Sequence, residues 1–210
     1  MRVVLLDNRD SFVYNLVDQF AALGANVEVY RNSAPVTTVL RALESGGDDH
    51  ARARRGERPV LCLSPGPGHP RASGCLMELI DAAVTRGVPT LGICLGMQLL
   101  TAHSAEGDLA TLGLIPGQTT RLSAHDLPLP HMGWNRVHAT PGHPLFADIP
   151  PDSHYYFVHS YAVLESPATI ATCDYGVPFA AALARDNYYG VQFHPEVTHT
   201  KKGLELLTNF

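Results

Sequence analysis

Through its first hundred residues the sequence alternates short apolar runs with stretches of helical periodicity, and no other feature narrows the fold as much. Val3-Val4-Leu5-Leu6 ends at Asp7, after which Phe12, Leu16, Val17 and Phe20 recur at helical spacing, with Asp10 or Ser11 as the N-cap and Gly24 as the stop. Val27 to Tyr30 reads as a second strand, Thr37 to Leu43 as a short helix and Val60 to Leu63 as a third strand. An amphipathic helix from Ser73 to Arg86 then leads to a fourth strand before Cys94. This order predicts an α/β fold: a mostly parallel twisted sheet with helices on both faces. From Gly113 the texture changes to short strands and turns, at Gln118–Leu122, Arg136–Ala139, Tyr155–His159, Ala168–Cys173, Phe179–Arg185 and Tyr188–Phe193, with a closing helix from about Lys201. These predict an antiparallel flank in the second half. At 210 residues the expectation is a single domain over 1–210, enough to bury about 70% of the unfolded surface.

The fourth strand runs into Gly92-Ile93-Cys94-Leu95-Gly96-Met97-Gln98, where apolar residues restart at helical spacing. Gly-x-Cys-x-Gly is the thiol version of a nucleophile elbow, in which small flanking residues let a tight turn push the nucleophile above a sheet. A helix start there favours thiolate, and the Leu95 amide is placed to donate to an oxyanion. A lone cysteine at such a junction also reads as core, so a base elsewhere must decide. The last strand supplies one, ending in His194-Pro195-Glu196. Alone, that tripeptide reads as a solvated turn. Strand C-termini share one edge of a parallel sheet, however, so His194 and Glu196 can meet Cys94 as base and orienting acid. Ser64-Pro65-Gly66-Pro67-Gly68-His69-Pro70 is either a proline-stiffened turn or an oxyanion hole built on the bare N–H groups of Gly66 and Gly68.

Charge and cysteine usage exclude several other functions. A formal net charge of −5 gives nucleic acid no basic face, and the one positive cluster, Arg52, Arg54, Arg55 and Arg58, lies in the aperiodic stretch Glu44 to Pro59, which reads as a loop. Cys62, Cys75, Cys94 and Cys173 show neither Cys-x-x-Cys spacing nor a histidine pair at zinc-finger distance, so no metal, disulfide framework or cofactor is expected. No apolar run approaches the ~18 residues of a membrane span, and the N-terminal run is too short for a signal peptide. The expected location is the cytoplasm, away from membranes.

Residues 92–98 and Phe193-His194-Pro195-Glu196, in that order and at that spacing, resemble the nucleophile and His/Glu motifs of class I, triad-type glutamine amidotransferases. The resemblance covers nearly the whole chain. It implies Cys94 as nucleophile, His194 as base and Glu196 as third member, with Gly66, Pro67, Gly68, Leu95, Gln98, Ser160 and Tyr161 contacting glutamine. It also implies hydrolysis of L-glutamine through a γ-glutamyl thioester and transfer of ammonia to a partner synthase. Within the family the likeness is a mosaic. Asp7-Asn8-Arg9-Asp10-Ser11-Phe12 and Leu63 to Gly68 resemble the anthranilate or aminodeoxychorismate synthase type; Gly113 to Gly117, Pro130 to Asn135, Tyr155 to Tyr161 and Asp174 to Phe179 resemble the imidazole glycerol phosphate synthase type; Glu196 to Thr200 is similar to GMP synthetase. The longer central segment favours the imidazole glycerol phosphate synthase type, of histidine biosynthesis. The anthranilate type, of tryptophan biosynthesis, a free-standing thiol hydrolase and an interaction module remain alternatives. Trp134, read as part of a Met-Gly-Trp turn, is an interface candidate.

Overall fold

The computed structural model describes residues 1–44, 59–66, 74–197, 199–200 and 202–210. The first half folds as β1 (Arg2–Asp7), α1 (Val13–Ala22), β2 (Asn26–Arg31), α2 (Val36–Glu44), β3 (Pro59–Leu63), α3 (Leu76–Thr85), β4 (Thr90–Ile93) and α4 (Leu95–Leu100). There follow β5 (His103–Ser104), β6 (Leu109–Ala110), β7 (Gln118–Arg121), β8 (His131–Arg136), β9 (His138–Ala139), β10 (His154–His159), β11 (Tyr161–Val163), β12 (Thr169–Asp174), β13 (Pro178–Arg185), β14 (Tyr188–Val191) and α5 (Gly203–Asn209). An eight-stranded sheet runs β2-β1-β3-β4-β14-β13-β12-β9. Neighbours are parallel from β2 to β14 and antiparallel from β14 to β9. The mixed sheet with its antiparallel flank is therefore the one the sequence pattern predicts.

Period-two alternation explains why helices cover both faces. Val3 and Leu5 of β1 point to one side, into a core with Leu16 and Phe20 of α1 and Leu206 and Leu207 of α5. Val4 and Leu6 point to the other, against Val39 of α2, Leu79 and Ile80 of α3 and Met97 and Leu99 of α4. Every β1 side chain in these clusters is fully buried, so strand and helices stabilise one another through apolar area that neither hides alone. Among the described residues, no helix is long and apolar enough to cross a membrane.

Two expectations need correction. The first helix begins at Val13, with Phe12 as its cap residue and no side-chain cap. Asp10 instead closes a turn, its Oδ1 accepting from Phe12 N at 2.7 Å, while Asp7 Oδ1 accepts from Arg9 N. The Met-Gly-Trp turn is a strand: β8 pairs antiparallel with β10, Trp134 opposite Tyr156. Its pattern is inverted, with His131, Gly133 and Asn135 turned inward and Met132, Trp134 and Arg136 outward, so hydrophobic alternation could not reveal it. The expected loop between Glu44 and Pro59, with its arginine cluster, lies almost wholly outside the described residues.

Candidate active site

At the C-terminal edge of the sheet, β4 lies beside β14 with Ile93 in register with Val191. The next residue, Cys94, has φ +52° and ψ −105°, outside the regions open to L-residues without strain. Backbone bonds hold it there: Cys94 N donates to Val191 O at 2.8 Å, and Cys94 O accepts from Gln98 N at 3.1 Å. The flanking glycines are steric requirements. A Cβ on Gly92 would stand 2.4 Å from the carbonyl carbon of Gly96, and one on Gly96 would stand 2.7 Å from Leu63 O of β3. The elbow therefore packs directly on the neighbouring strand. The thiol itself is free and half-buried.

Past β14, Gln192 N still donates to Ala181 O, after which the chain turns and His194 N donates to Tyr156 O at 2.8 Å. His194 and Glu196 are 2% and 1% exposed, and His194 Nδ1 lies 2.7 Å from Glu196 Oε1. A carboxylate only accepts, so Nδ1–H donates and Nε2 is the end left to take a proton. Nε2 is buried and without a hydrogen-bond partner among the described residues. Burial, the largest influence, acts to lower the His194 pKa, but the approach of Cys94 and the hydrogen bond and charge of Glu196 outweigh it and hold the pKa well above 6.5. An imidazolium at this position is thus stabilised. Phe12 meets the ring edge-on, with centroids 6.1 Å apart.

Beside the elbow is a cavity of about 270 Å³ lined by Gly66, Cys94, Leu95, Gln98, Ser160 and Tyr161, among others. That is slightly below the roughly 300–1,000 Å³ of drug-sized ligand sites, in keeping with a single amino acid. Gly66 reaches it because the chain crowds Asn8: a Cβ there would lie 2.6 Å from Asn8 O. Asn8 also clamps the buried Ser64, its N donating to Ser64 Oγ at 2.9 Å and its Nδ2 to Ser64 O at 3.0 Å. Pro67 and Gly68 lie outside the described residues. His194 and Glu196 are not part of the lining, whereas Cys94 is.

Several polar residues at this site escaped the sequence reading. Glu106 and His159 line the cavity. Gln192, fully buried, donates from Nε2 to Cys94 Sγ at 3.5 Å and accepts at Oε1 from Gln98 Nε2 at 3.0 Å. A polar residue within a strand reads as solvent-facing, and only the position of Gln192 two residues before His194 hinted otherwise. Among the described residues, no group of three or more His, Cys, Asp or Glu side chains is arranged to hold a metal ion.

An elbow cysteine beside a buried His–Glu pair, on a mostly parallel sheet, defines a thiol-dependent acyl-transfer site, and the chain belongs to the class-I glutamine amidotransferase family, whose model matches residues 4–210. It is a glutamine amidotransferase. Among its relatives, the imidazole glycerol phosphate synthase subunit HisH of Mannheimia succiniciproducens is 54% identical over 151 residues, spanning 70% of this chain and 77% of the relative. HisH of Pasteurella multocida is 52% identical over 149 residues, 69% and 75% of the two chains. The fold is shared with a GMP synthase-type protein of Thermoplasma acidophilum, at TM-score 0.70 and 18% identity, covering 100% of this chain and 91% of that one. A glutamine amidotransferase from Thermotoga maritima aligns at TM-score 0.66 and 16% identity, over 97% and 80%.

Proposed function

We propose that residues 1–210 form the glutaminase subunit of an imidazole glycerol phosphate synthase, hydrolysing L-glutamine to L-glutamate and ammonia and passing the ammonia to a synthase partner. The observation that carries the chemistry is the strained cysteine beside the buried His194–Glu196 hydrogen bond. The pathway rests on the two HisH relatives, at 54% and 52% identity.

His194 Nε2 takes the Cys94 proton, and the sulfur attacks the γ-amide carbon of glutamine. Backbone N–H groups of Leu95 and the Gly66 to Gly68 segment hold the oxyanion. The tetrahedral intermediate collapses as His194 protonates the leaving nitrogen, releasing ammonia and a γ-glutamyl thioester. Water, deprotonated by the same ring, then cleaves the thioester to glutamate and returns the thiol. Glu196 keeps Nδ1 protonated and Nε2 free for these transfers. Backbone groups of Ser160 and Tyr161, which line the cavity, hold the amino-acid end. No step calls for a cofactor. Met132 and Trp134 are 61% and 45% exposed on β8, and we take this outward apolar face as synthase-facing. Free thiols at Cys62, Cys75, Cys94 and Cys173 suit a reducing compartment such as the cytoplasm.

The Asn8 clamp on Ser64 is built from residues resembling the anthranilate or aminodeoxychorismate type, which makes those synthases the second candidate partners. Ammonia release from glutamine, measured with each synthase in turn, tests the assignment. Stimulation by the imidazole glycerol phosphate-forming partner is expected. Stimulation by an anthranilate-type partner instead overturns the pathway.

A further inference from the structure

The cavity ends on a directed chain of buried polar groups that the glutaminase steps do not use. Its polarity is fixed by one atom. Tyr161 O can only accept, and both Gln98 Nε2, at 3.1 Å, and His159 Nδ1, at 2.9 Å, point at it. Gln98 therefore presents its nitrogen, which also reaches Gln192 Oε1 at 3.0 Å. Gln192 must then turn its own nitrogen toward Cys94 Sγ, since a flipped amide would set donor against donor. The histidine branch is fixed in the same way. With Nδ1 donating, His159 Nε2 accepts from His131 Nδ1 at 3.1 Å, and His131 Nε2 accepts from Asn135 Nδ2 at 3.2 Å. Asn135 Nδ2 also donates to Asp174 O at 2.9 Å. Two backbone carbonyls thus set every proton in the chain, and one donor is left facing the nucleophile.

We infer that Gln192 is a further catalytic residue of the glutaminase reaction: its Nε2–H donates to Cys94 Sγ, favouring the thiolate for attack, with Gln98 as the positioning residue that keeps this donor aimed at the sulfur. The inference rests on Cys94 being the nucleophile. When the thioester forms, the sulfur gives up its negative charge to the new bond and the hydrogen bond weakens. When water cleaves the thioester, the sulfur departs with the electron pair and the bond strengthens again, so Gln192 stabilises both the attacking and the leaving thiolate. A hydrogen bond to a charged group is worth a rate factor of roughly 10- to 100-fold.

The test needs no substrate for its first readout. The rate of Cys94 alkylation by iodoacetamide, followed by mass spectrometry of the Cys94 peptide, is compared in the wild-type protein, Gln192→Met and Gln98→Met, alongside kcat and KM for glutamine with the synthase partner bound. Gln192→Met is expected to slow alkylation and lower kcat by roughly 10- to 100-fold, with KM within about twofold of wild type. Gln98→Met should slow alkylation less, and the double variant no more than Gln192→Met alone, because the two act as one unit. That non-additivity is not expected of two independent structural losses. If Gln192→Met does not fold, Gln192→Glu, which preserves the shape but opposes the thiolate with charge, must slow alkylation at least as much. Wild-type alkylation in a folded Gln192 variant, or additive effects in the double variant, overturns the inference. Slowed alkylation in a protein that releases no ammonia with any synthase would instead count against the glutaminase reading while leaving the bond to sulfur in place.

Discussion

Strain at the elbow makes a prediction about stability that is separate from activity. Cys94→Ala and Cys94→Gly both remove the thiol and should both be inactive, but they differ in the one atom responsible for the strain. At φ +52° and ψ −105° a Cβ is disfavoured by about 1–3 kcal/mol. Glycine relieves that cost, while its freer unfolded chain gives back about 0.4–1 kcal/mol. Loss of the half-buried Cβ returns a few tenths more, on the order of half a buried methylene. At mid-range values the strain term wins, and the glycine variant should be the more stable by roughly 0.5–1.5 kcal/mol. For a chain of this size that is about 1–6 °C in Tm. Urea unfolding of the two variants side by side, with matched m-values, measures the difference directly. An alanine variant as stable as the glycine variant, or more so, would mean that position 94 is not held under strain.

The surroundings of the elbow give three further expectations. Gly96→Ala forces a methyl to 2.7 Å from Leu63 O, a backbone atom that cannot turn aside; it should cost about 1–3 kcal/mol in urea unfolding and lower glutaminase turnover, and an unchanged midpoint would contradict the packing described. His194→Ala should remove nearly as much turnover as loss of Cys94, whereas Glu196→Ala should remove less, since it leaves the ring without its orienting partner but still present; equal losses in kcat/KM would argue against these roles. Burial pushes the His159 pKa down to about 3 and that of His131 down to about 4. Both rings therefore fold neutral, while the unfolded chain takes up protons below about 6.5, so stability is full above that pH and falls as pH drops. Between pH 6.5 and 5 the loss should be about 1.6 kcal/mol per histidine, fading once the folded pKa values are passed. His194, with its pKa raised, contributes stability that is complete below 6.5 and lost as pH rises, and so adds no slope in that window. Urea midpoints at pH 6.5 and 5 that coincide would refute the neutral pair.

The sequence was most readable where hydrophobic period and chemistry agree. Val3 to Leu6 alternates between two cores, and its apolar run predicts a strand covered on both faces. The Gly-x-Cys-x-Gly elbow was legible because close packing on Leu63 leaves room for nothing larger than glycine. The second half was less legible. β8 turns polar residues inward and Met132 and Trp134 outward, against the usual pattern: His131 and Asn135 join a hydrogen-bonded polar chain, while the His131 ring also stacks on Phe157 and Tyr175 at the edge of the apolar core. His159, His131 and Gln192 were not legible as a unit, even though His131 and His159 fall in family-like segments, since a polar chain set by the Tyr161 carbonyl depends on a helix and strands brought together from positions 98, 131, 159 and 192. Such a meeting is a property of the tertiary fold.

The central claim is that the Cys94 thiolate is the nucleophile in glutamine hydrolysis. Ammonia release by the Cys94→Ala protein with the synthase partner bound tests it most directly: turnover should fall to the no-enzyme background while synthase binding persists, and wild-type turnover in that variant would contradict the account.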